Sequence, residues 1–249
     1  MGNIYKPIST ILNGLQSVVA LALAAVSIWF FIELKSFTDL RNRDRNLLDF
    51  EVYWPQALPW VFLLVSVLAI CVSLCGVYGA HTNKKSAVVT YATFLAVLTL
   101  GAFAAGTTGL VCGDAKPTDD FMATTVSDAY SEMKIRKEVV TAFGNIERRF
   151  RCCGIKGSSD YTSVSIPDSC CDRDELVACE NSASRRRGCV EVAIPYTRMF
   201  IRYTSIGSIV IGVISAISLI VAVLLALSAR GKEGRLRSEV EKEPLKLPL

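Results

Sequence analysis

Nine cysteines are the residues of this sequence best suited to chemistry, and six of them fall between Cys152 and Cys189. They stand as two adjacent pairs, Cys152-Cys153 and Cys170-Cys171, followed by Cys179 and Cys189. Clustered cysteines serve as disulfides, as metal ligands or as nucleophiles. Structural zinc sites use spacings such as C-x2-C, with histidine often completing the set. Here the only histidine, His81, lies in another part of the chain. Adjacent cysteines on a rigid backbone point apart, so each can take a separate partner. Their even number, within one polar segment between apolar runs, reads as a disulfide framework. A metal site and free thiols are the alternatives. Without a histidine in the segment, no Ser-His or Cys-His nucleophile pair can form there, and its acids show no paired spacing. The sequence therefore predicts no catalytic residue, no metal ligand and no enzyme.

The rest of the chain must hold this segment in place. Hydrophobic residues make up 51% of the sequence, and the mean hydropathy is +0.40. The excess lies in four runs, 11–32, 60–80, 86–112 and 204–229, none of which contains Asp, Glu, Lys or Arg. Each is long enough to cross about 30 Å of hydrocarbon as a helix. The first ends in Trp29-Phe30-Phe31 and is too long for a cleaved signal peptide. Four spans predict an all-α membrane protein, a four-transmembrane-helix bundle with both termini on one side. The segments are an N-terminus (1–10), a small outer loop (33–59), a short inner turn (81–85), a large outer loop (113–203) and a tail (230–249).

Cations do not settle the orientation. Lys6, Lys84, Lys85, Arg230, Lys232, Arg235 and Arg237 on the terminal side are balanced by Lys35, Arg41, Arg43, Arg45, Lys116, Arg198 and Arg202 opposite. The disulfide framework does, because such bridges persist in oxidising compartments. It places the large loop outside the cell or in a lumen, and the termini in the cytoplasm. A net charge of +4, spread along the chain, gives no nucleic-acid footprint. No Asn-x-Ser/Thr sequon is present. Gly2 is followed by Lys6 where a myristoylation motif wants Ser or Thr.

Small and polar residues recur at heptad spacing in the first span (Asn13, Ser17, Ala20, Ala24, Ser27) and the second (Ser66, Ala69, Ser73, Gly76, Ala80). Small residues let membrane helices approach closely, so these stripes are predicted to face each other. Gly101, Ala105 and Gly109 suggest a stripe on the third span, and Ser208, Gly212, Ser215 and Ala222 one on the fourth. Asn13 reads as the strongly polar side chain within a span, hydrogen-bonded inside the bundle. Cys75 and Cys71 approach the inner turn and are palmitoylation candidates. The alternative for both is a small buried hydrophobe. Cys112 has no predicted partner. Tyr53, Trp54 and Trp60 suit an interfacial belt.

The large loop opens with two apolar stripes, Met122-Val126-Ala129-Met133 and Val140-Phe143-Ile146-Phe150. Charge from Lys134 to Glu138 predicts a break between two helices. Gly154 marks the second stop. Residues 155–188 are rich in turn formers, and 189–203 become periodic again and run into the fourth span. The prediction is two helical arms with an irregular, cysteine-clamped head. A domain of that size buries a modest core and needs staples. Closing the loop between Cys152 and Cys189 would stabilise it by about 4 kcal/mol in the chain-entropy model.

With these residues laid out, the chain resembles a tetraspanin over almost its whole length. The resemblance is carried by four spans, a small and a large outer loop, Cys152-Cys153-Gly154, Gly157 with Asp160-Tyr161, Pro167-Asp168-Ser169-Cys170-Cys171 and Gly188-Cys189. Cys75-Gly76 resembles the family's palmitoylated position, and Asn13 its polar residue in the first helix. The resemblance implies the pairs Cys152-Cys189, Cys153-Cys170 and Cys171-Cys179, the six-cysteine subtype. The residues alone allow fifteen connectivities. Many members also carry an acid or glutamine in the third or fourth helix. Val88–Val111 and Ile206–Ala226 carry none, so Thr107 or Ser215 would have to serve as the partner of Asn13.

The resemblance further implies a non-enzymatic membrane organiser in plasma or endosomal membranes. It would associate laterally with partner membrane proteins, other tetraspanins among them, through the large loop, and affect clustering, trafficking, adhesion or signalling. It also implies a sterol or lipid cavity between the helices. Partner contact is expected from the head, with Arg185, Arg186, Arg187 and Tyr161 as candidates. The arginines read equally as a solvated turn, an acidic-partner site or a headgroup site. A channel or transporter is the competing reading, and it lacks the ionisable intramembrane residues such pathways use. The terminal Leu247-Pro248-Leu249 reads as a disordered tail or a PDZ-type ligand.

Overall fold

The computed structural model describes residues 2–38, 40, 50–82, 85–113, 116–161, 166–171, 179, 183 and 185–242. Residues 39 and 41–49 of the predicted small outer loop, 83–84 of the inner turn, 114–115, the remainder of the head and the last seven residues of the tail lie outside the described residues.

Six helices carry the described chain. They are α1 (Gly2–Thr38), α2 (Phe50–Thr82), α3 (Lys85–Gly113), α4 (Lys116–Met133), α5 (Lys137–Phe150) and α6 (Cys189–Lys242). Single 3-10 turns form at Ser158–Tyr161 and Asp168–Cys170. Segments of four helices, Pro7–Lys35, Ala57–Gly79, Val88–Gly113 and Cys189–Leu224, are long and apolar enough to cross a membrane. Their backbone groups are satisfied within the helix, as hydrocarbon requires. α6 enters its span without a break after the large loop, as the periodicity from residue 189 predicts.

The chain divides into two compact units. One comprises Met1–Ala24, Leu64–Gly106 and Gly207–Leu249. Its core is a stripe from each of four helices. α1 contributes Asn13, Gln16, Ala20 and Leu23, and α2 contributes Ser66, Ala69, Ser73 and Gly76. α3 contributes Tyr91, Leu95, Leu98 and Ala102, and α6 contributes Ser208, Ile211, Gly212, Ser215 and Ala222. Each stripe steps by three and four residues, the spacing that keeps one helix face turned inward. The Ser208 hydroxyl donates to the Ala102 carbonyl at 2.9 Å and ties α6 to α3. Exposed Ile11, Val18, Leu21, Phe94, Val97 and Leu100 form the apolar outer faces.

Two predicted stripes are corrected here. On α1 the predicted Asn13, Ala20 and Ser27 are buried, but Gln16 and Leu23 are buried with them, while Ser17 and Ala24 are only half-buried. On α3 Gly101 is exposed and its neighbour Ala102 is buried. In both helices the buried line mixes small and larger residues. On α1 the larger Gln16 and Leu23 fill the interior.

The second unit comprises Ala25–Leu63 and Thr107–Ile206. α4 and α5 pack on each other, separated by the predicted break at Lys134-Ile135-Arg136. Met122, Val126 and Ala129 of α4 are buried against Phe143 and Ile146 of α5. On α5 the buried valine is Val139, and Val140 is exposed, which corrects the predicted stripe by one residue. The four cysteines Cys152, Cys153, Cys170 and Cys189 join the same core. At the base of the unit an aromatic cluster runs from Phe150 to Tyr196 to Phe200, on which both Phe30 and Trp29 pack, with ring centroids 4.9–5.1 Å apart. Two ion pairs reinforce it. Arg149 of α5 meets the buried Glu33 of α1, and Arg198 of α6 grips Asp119 of α4 with two donors. A bidentate fork fixes orientation as well as distance. Thr118 closes the α3–α4 connection by donating to the Cys112 carbonyl at 2.9 Å.

Candidate functional site

The site is built where α5 ends. Arg151 adopts the left-handed conformation (φ 50°, ψ 44°), and its N–H returns to the Glu147 carbonyl. The helix therefore stops at Phe150, four residues before the Gly154 that marks the predicted stop. A non-glycine residue in this region costs about 1–2 kcal/mol. Gly154 supplies a second reversal at φ 62°. Glycine is required there, since a Cβ would lie 2.5 Å from the Gly157 carbonyl oxygen and 2.8 Å from Asp160 Oδ2.

These two reversals aim the backbone of residues 153–155 at the start of α6. Cys153 N–H donates to the Arg187 carbonyl at 3.0 Å. Cys189 N–H donates to Gly154 and Val190 N–H to Ile155, at 3.0 and 3.2 Å. The first amides of a helix have no partner within it, and here the Cys-Cys-Gly segment provides one. Gly157 and Arg187 add an isolated antiparallel bridge. Gly188 fits because it lacks a side chain. A Cβ there would overlap the Ile155 carbonyl oxygen and sit 2.5 Å from the Lys156 backbone.

Sulfur reinforces the same junction. Cys152 is bonded to Cys189 (S–S 1.99 Å), Cys153 to Cys170 (2.02 Å) and Cys171 to Cys179. This is the connectivity implied by the family resemblance. The first bridge ties the end of α5 to the start of α6, and the second ties it into the head.

Between these bridges lies a residue the sequence reading passed over. Glu147 is 1% exposed. Its Oε1 accepts from Gly154 N–H at 2.9 Å and from the Tyr161 hydroxyl at 2.8 Å, and its Oε2 accepts from the Ser169 hydroxyl at 2.5 Å. Three segments thus converge on one carboxyl group. Tyr130 completes the network, donating to the Asp160 carbonyl at 2.8 Å and packing edge-on against Phe143 and Tyr161. Burial raises the Tyr161 phenol well above its ordinary value, and the neighbouring Glu147 charge raises it further. Burial also raises the Tyr130 phenol. Both side chains therefore serve as neutral donors.

Glu147, Cys153 and Cys170 lie close enough to suggest a metal cluster. The two sulfurs are bonded to each other, however, and leave no thiolate for an ion.

The structure separates the candidate contact residues. Arg185 and Arg187 are exposed, and Arg187 reaches Glu191 at 3.9 Å. Arg186 is half-buried and donates to the Ser169 carbonyl at 2.9 Å. Tyr161 is buried in the head, with its hydroxyl turned inward to Glu147. With Tyr130, Gly144, Glu147, Ser169 and Cys171 it lines a cleft of about 1000 Å³ beside α5.

Within the four-helix unit Asn13 accepts from the Tyr91 hydroxyl at 2.8 Å and donates to the Ser9 carbonyl at 2.8 Å. The partner is thus an aromatic hydroxyl on α3, not Thr107 or Ser215. Gly76 makes room for this bond, since a Cβ there would lie 2.6–2.7 Å from the Tyr91 ring and the Asn13 amide. Gln16, one turn further along α1, is fully buried, and its Nε2 lies 3.5 Å from the Ala69 carbonyl. These contacts bring the polar positions of α1 and α2 together, as the facing stripes predict. Cys71 and Cys75 are exposed on α2, and Cys112 is a half-buried free thiol.

Four membrane-crossing helices with a folded, disulfide-clamped loop between the third and fourth crossings define a class of multi-pass membrane protein. A model of the tetraspanin family matches residues 6–228, and the chain belongs to that family. It is 31% identical over 121 residues to the 23 kDa integral membrane protein of Schistosoma japonicum, a match covering 49% of this chain and 53% of that protein. It is 25% identical over 183 residues to the CD63 antigen of Homo sapiens, covering 70% and 76%. It is 22% identical over 175 residues to Tetraspanin-12 of Caenorhabditis elegans, covering 64% and 54%. The chain spans about half the length of the schistosome relatives it matches. Family membership and the four spans make it a multi-pass membrane protein.

Proposed function

We propose that this tetraspanin is a non-enzymatic organiser that gathers partner membrane proteins laterally through its large loop, and so affects their clustering, trafficking, adhesion or signalling. One observation carries the reading. The base of the loop is closed by backbone hydrogen bonds, two fully buried disulfides and Glu147, while the cleft and two arginines of the head remain exposed. A rigid support with a variable exposed surface is what recognition uses. In this reading the large loop faces the cell exterior or a lumen, the termini are cytoplasmic, and the protein resides in plasma or endosomal membranes. The exposure of Cys71 and Cys75 supports acylation of both, and thioester-exchange labelling of each Cys→Ser variant tests it. A sterol or lipid among the four helices belongs to the same reading. Gln16 Oε1, buried and without a hydrogen-bond partner, is the acceptor its hydroxyl would reach.

The test is proximity labelling in intact cells, comparing the wild type with a variant whose residues 155–188 are replaced. A changed partner set is the expected result, and an unchanged one refutes recognition by the head.

A further inference from the structure

The three bridges of the large loop differ in their surroundings. Cys152, Cys153 and Cys170 are 0% exposed and Cys189 is 1% exposed, so the first two bridges are closed to solvent. Cys171 and Cys179 are only half-buried, and Cys171 forms part of the cleft wall beside α5. Thiol–disulfide exchange begins when a thiolate reaches one sulfur of the bond. Of the three bridges, Cys171–Cys179 is the one that meets a reagent without prior unfolding. Charge separates them further. The Glu147 carboxyl lies 3.5 Å from Cys170 Sγ, where it repels an approaching thiolate. Cys171 Sγ faces the neutral Pro167 carbonyl at 3.6 Å. Loop size points the same way. The bridges span 37, 17 and 8 residues, and Cys171–Cys179 closes the shortest. In the chain-entropy model the shortest loop stabilises least when closed.

The stretch that this bridge closes is anchored on both sides without it. Before it, Cys170 is bonded to Cys153, and the Ser169 hydroxyl donates to Glu147. After it, Ala183 is fully buried, and Arg186 donates to the Ser169 carbonyl at 2.9 Å. The Arg187 carbonyl then accepts from Cys153 N–H at 3.0 Å. Opening Cys171–Cys179 therefore removes one crosslink from the head and leaves the base of the loop closed.

We propose that Cys171–Cys179 is a reducible bridge that switches the contact surface of the head, opened by a protein dithiol of the Cys-x-x-Cys class. One thiolate of the dithiol attacks a sulfur of the bridge, and the other bridge sulfur leaves as a thiolate and takes up a proton. The second thiol of the dithiol then displaces the mixed disulfide. The dithiol is oxidised to a disulfide by loss of two electrons and two protons, and Cys171 and Cys179 gain them as two thiols. The switch rests on recognition by the head, as proposed above, and adds its regulation.

The first test treats the full chain in nanodiscs with reduced thioredoxin, traps new thiols with N-ethylmaleimide and maps them by mass. Cys171 and Cys179 are trapped at least about tenfold faster than Cys152, Cys153, Cys170 and Cys189. Equal rates, or faster opening of either buried bridge, overturn the proposal. The second test is proximity labelling at the surface of intact cells, with and without added reduced thioredoxin. The reductant moves the wild-type partner set toward that of Cys171→Ser/Cys179→Ser and leaves the set of that double variant unchanged. Mapping of Cys152–Cys189 and Cys153–Cys170 verifies the variant's fold, and Cys171→Ala/Cys179→Ala replaces it if those pairs are scrambled. A wild-type set that the reductant does not move, or a double variant that responds as the wild type does, overturns the switch. If replacing residues 155–188 changes the partners while opening the bridge does not, the switch falls and recognition by the head stands. If neither changes them, both readings fall.

Discussion

Replacing Glu147 should undo the head without touching a cysteine. In Glu147→Ala three donors, Gly154 N–H and the Tyr161 and Ser169 hydroxyls, lose their acceptor at once. A hydrogen bond to a charged group contributes about 1.5–3 kcal/mol, and a buried donor left unmatched costs about 1–3 kcal/mol. The three share one acceptor, so their losses are not additive, and the adjoining cleft lets water reach some of them. A destabilisation of about 3–5 kcal/mol follows. Glu147→Gln behaves differently. It keeps one carbonyl oxygen for Gly154 and Tyr161, and the Ser169 hydroxyl can turn to accept from the new amide. Its cost is about 1 kcal/mol, the charge-assisted part of the bonds. For a domain of this size 1 kcal/mol corresponds to about 4–8 °C in Tm. Thermal unfolding of the full chain in nanodiscs, followed by near-UV circular dichroism with disulfides intact, should show the Ala variant lower by at least about 12 °C and the Gln variant by about 4–8 °C. If the Ala variant unfolds within about 3 °C of the wild type, or Gln is as harmful as Ala, Glu147 does not organise the head and the reasoning is wrong.

Further outcomes follow from the same junction and from the spans. Tyr161 has a folded pKa above its unfolded value near 10, so its contribution is intact below about pH 10 and is lost as pH rises beyond it. Alkaline unfolding followed by tyrosinate absorbance should show a late-ionising component that Tyr161→Phe removes. Gly188→Ala forces a Cβ into the backbone of Ile155 and Lys156, and mass mapping should find Cys152–Cys189 incompletely formed. Paired Cys152→Ser and Cys189→Ser changes should lower stability by about 4 kcal/mol in the chain-entropy model, read as a shifted denaturant midpoint. Gly76→Ala should break the Tyr91–Asn13 bond at a cost of about 1 kcal/mol, visible as lower Tm with the large-loop disulfides intact.

The hydropathy runs, the clustered cysteines and the charged gap at Lys134 to Glu138 were enough to place four crossings, the clamped loop and the α4–α5 break. Each is a local signal, set by composition within one stretch. The residues that were missed depend on which face of a helix turns inward. Glu147 stands beside Arg148 and Arg149 and reads as part of a solvated face, yet it is four residues from Phe143 and one from Ile146, on the buried stripe. Gln16 escaped because counting charges in the first run ignores amides, although it lies three residues from Asn13. Tyr91 in an apolar run reads as a lipid-facing aromatic, and only the packing of α1, α2 and α3 shows its hydroxyl meeting Asn13. Tyr161 sits among turn formers and reads as exposed, but the convergence of three segments on Glu147 draws it inside. The early stop at Arg151 carries no composition signal, since arginine is an uncommon left-handed residue.

The closure between residues 153–155 and 187–190 uses backbone groups for every one of its hydrogen bonds. Main-chain closure does not depend on which side chains lie between the closing strands, nor on how many there are. Lengthening a flexible loop is cheap, with each doubling costing only about 0.6 kcal/mol. The segment between Lys156 and Arg186 is therefore an insertion port. Foreign sequence inserted there, with Asp160, Tyr161, Ser169, Cys170, Cys171 and Cys179 retained, should be displayed on an unchanged membrane scaffold. The same property makes this part of the chain the one where natural sequence drift can change length at least cost to the fold.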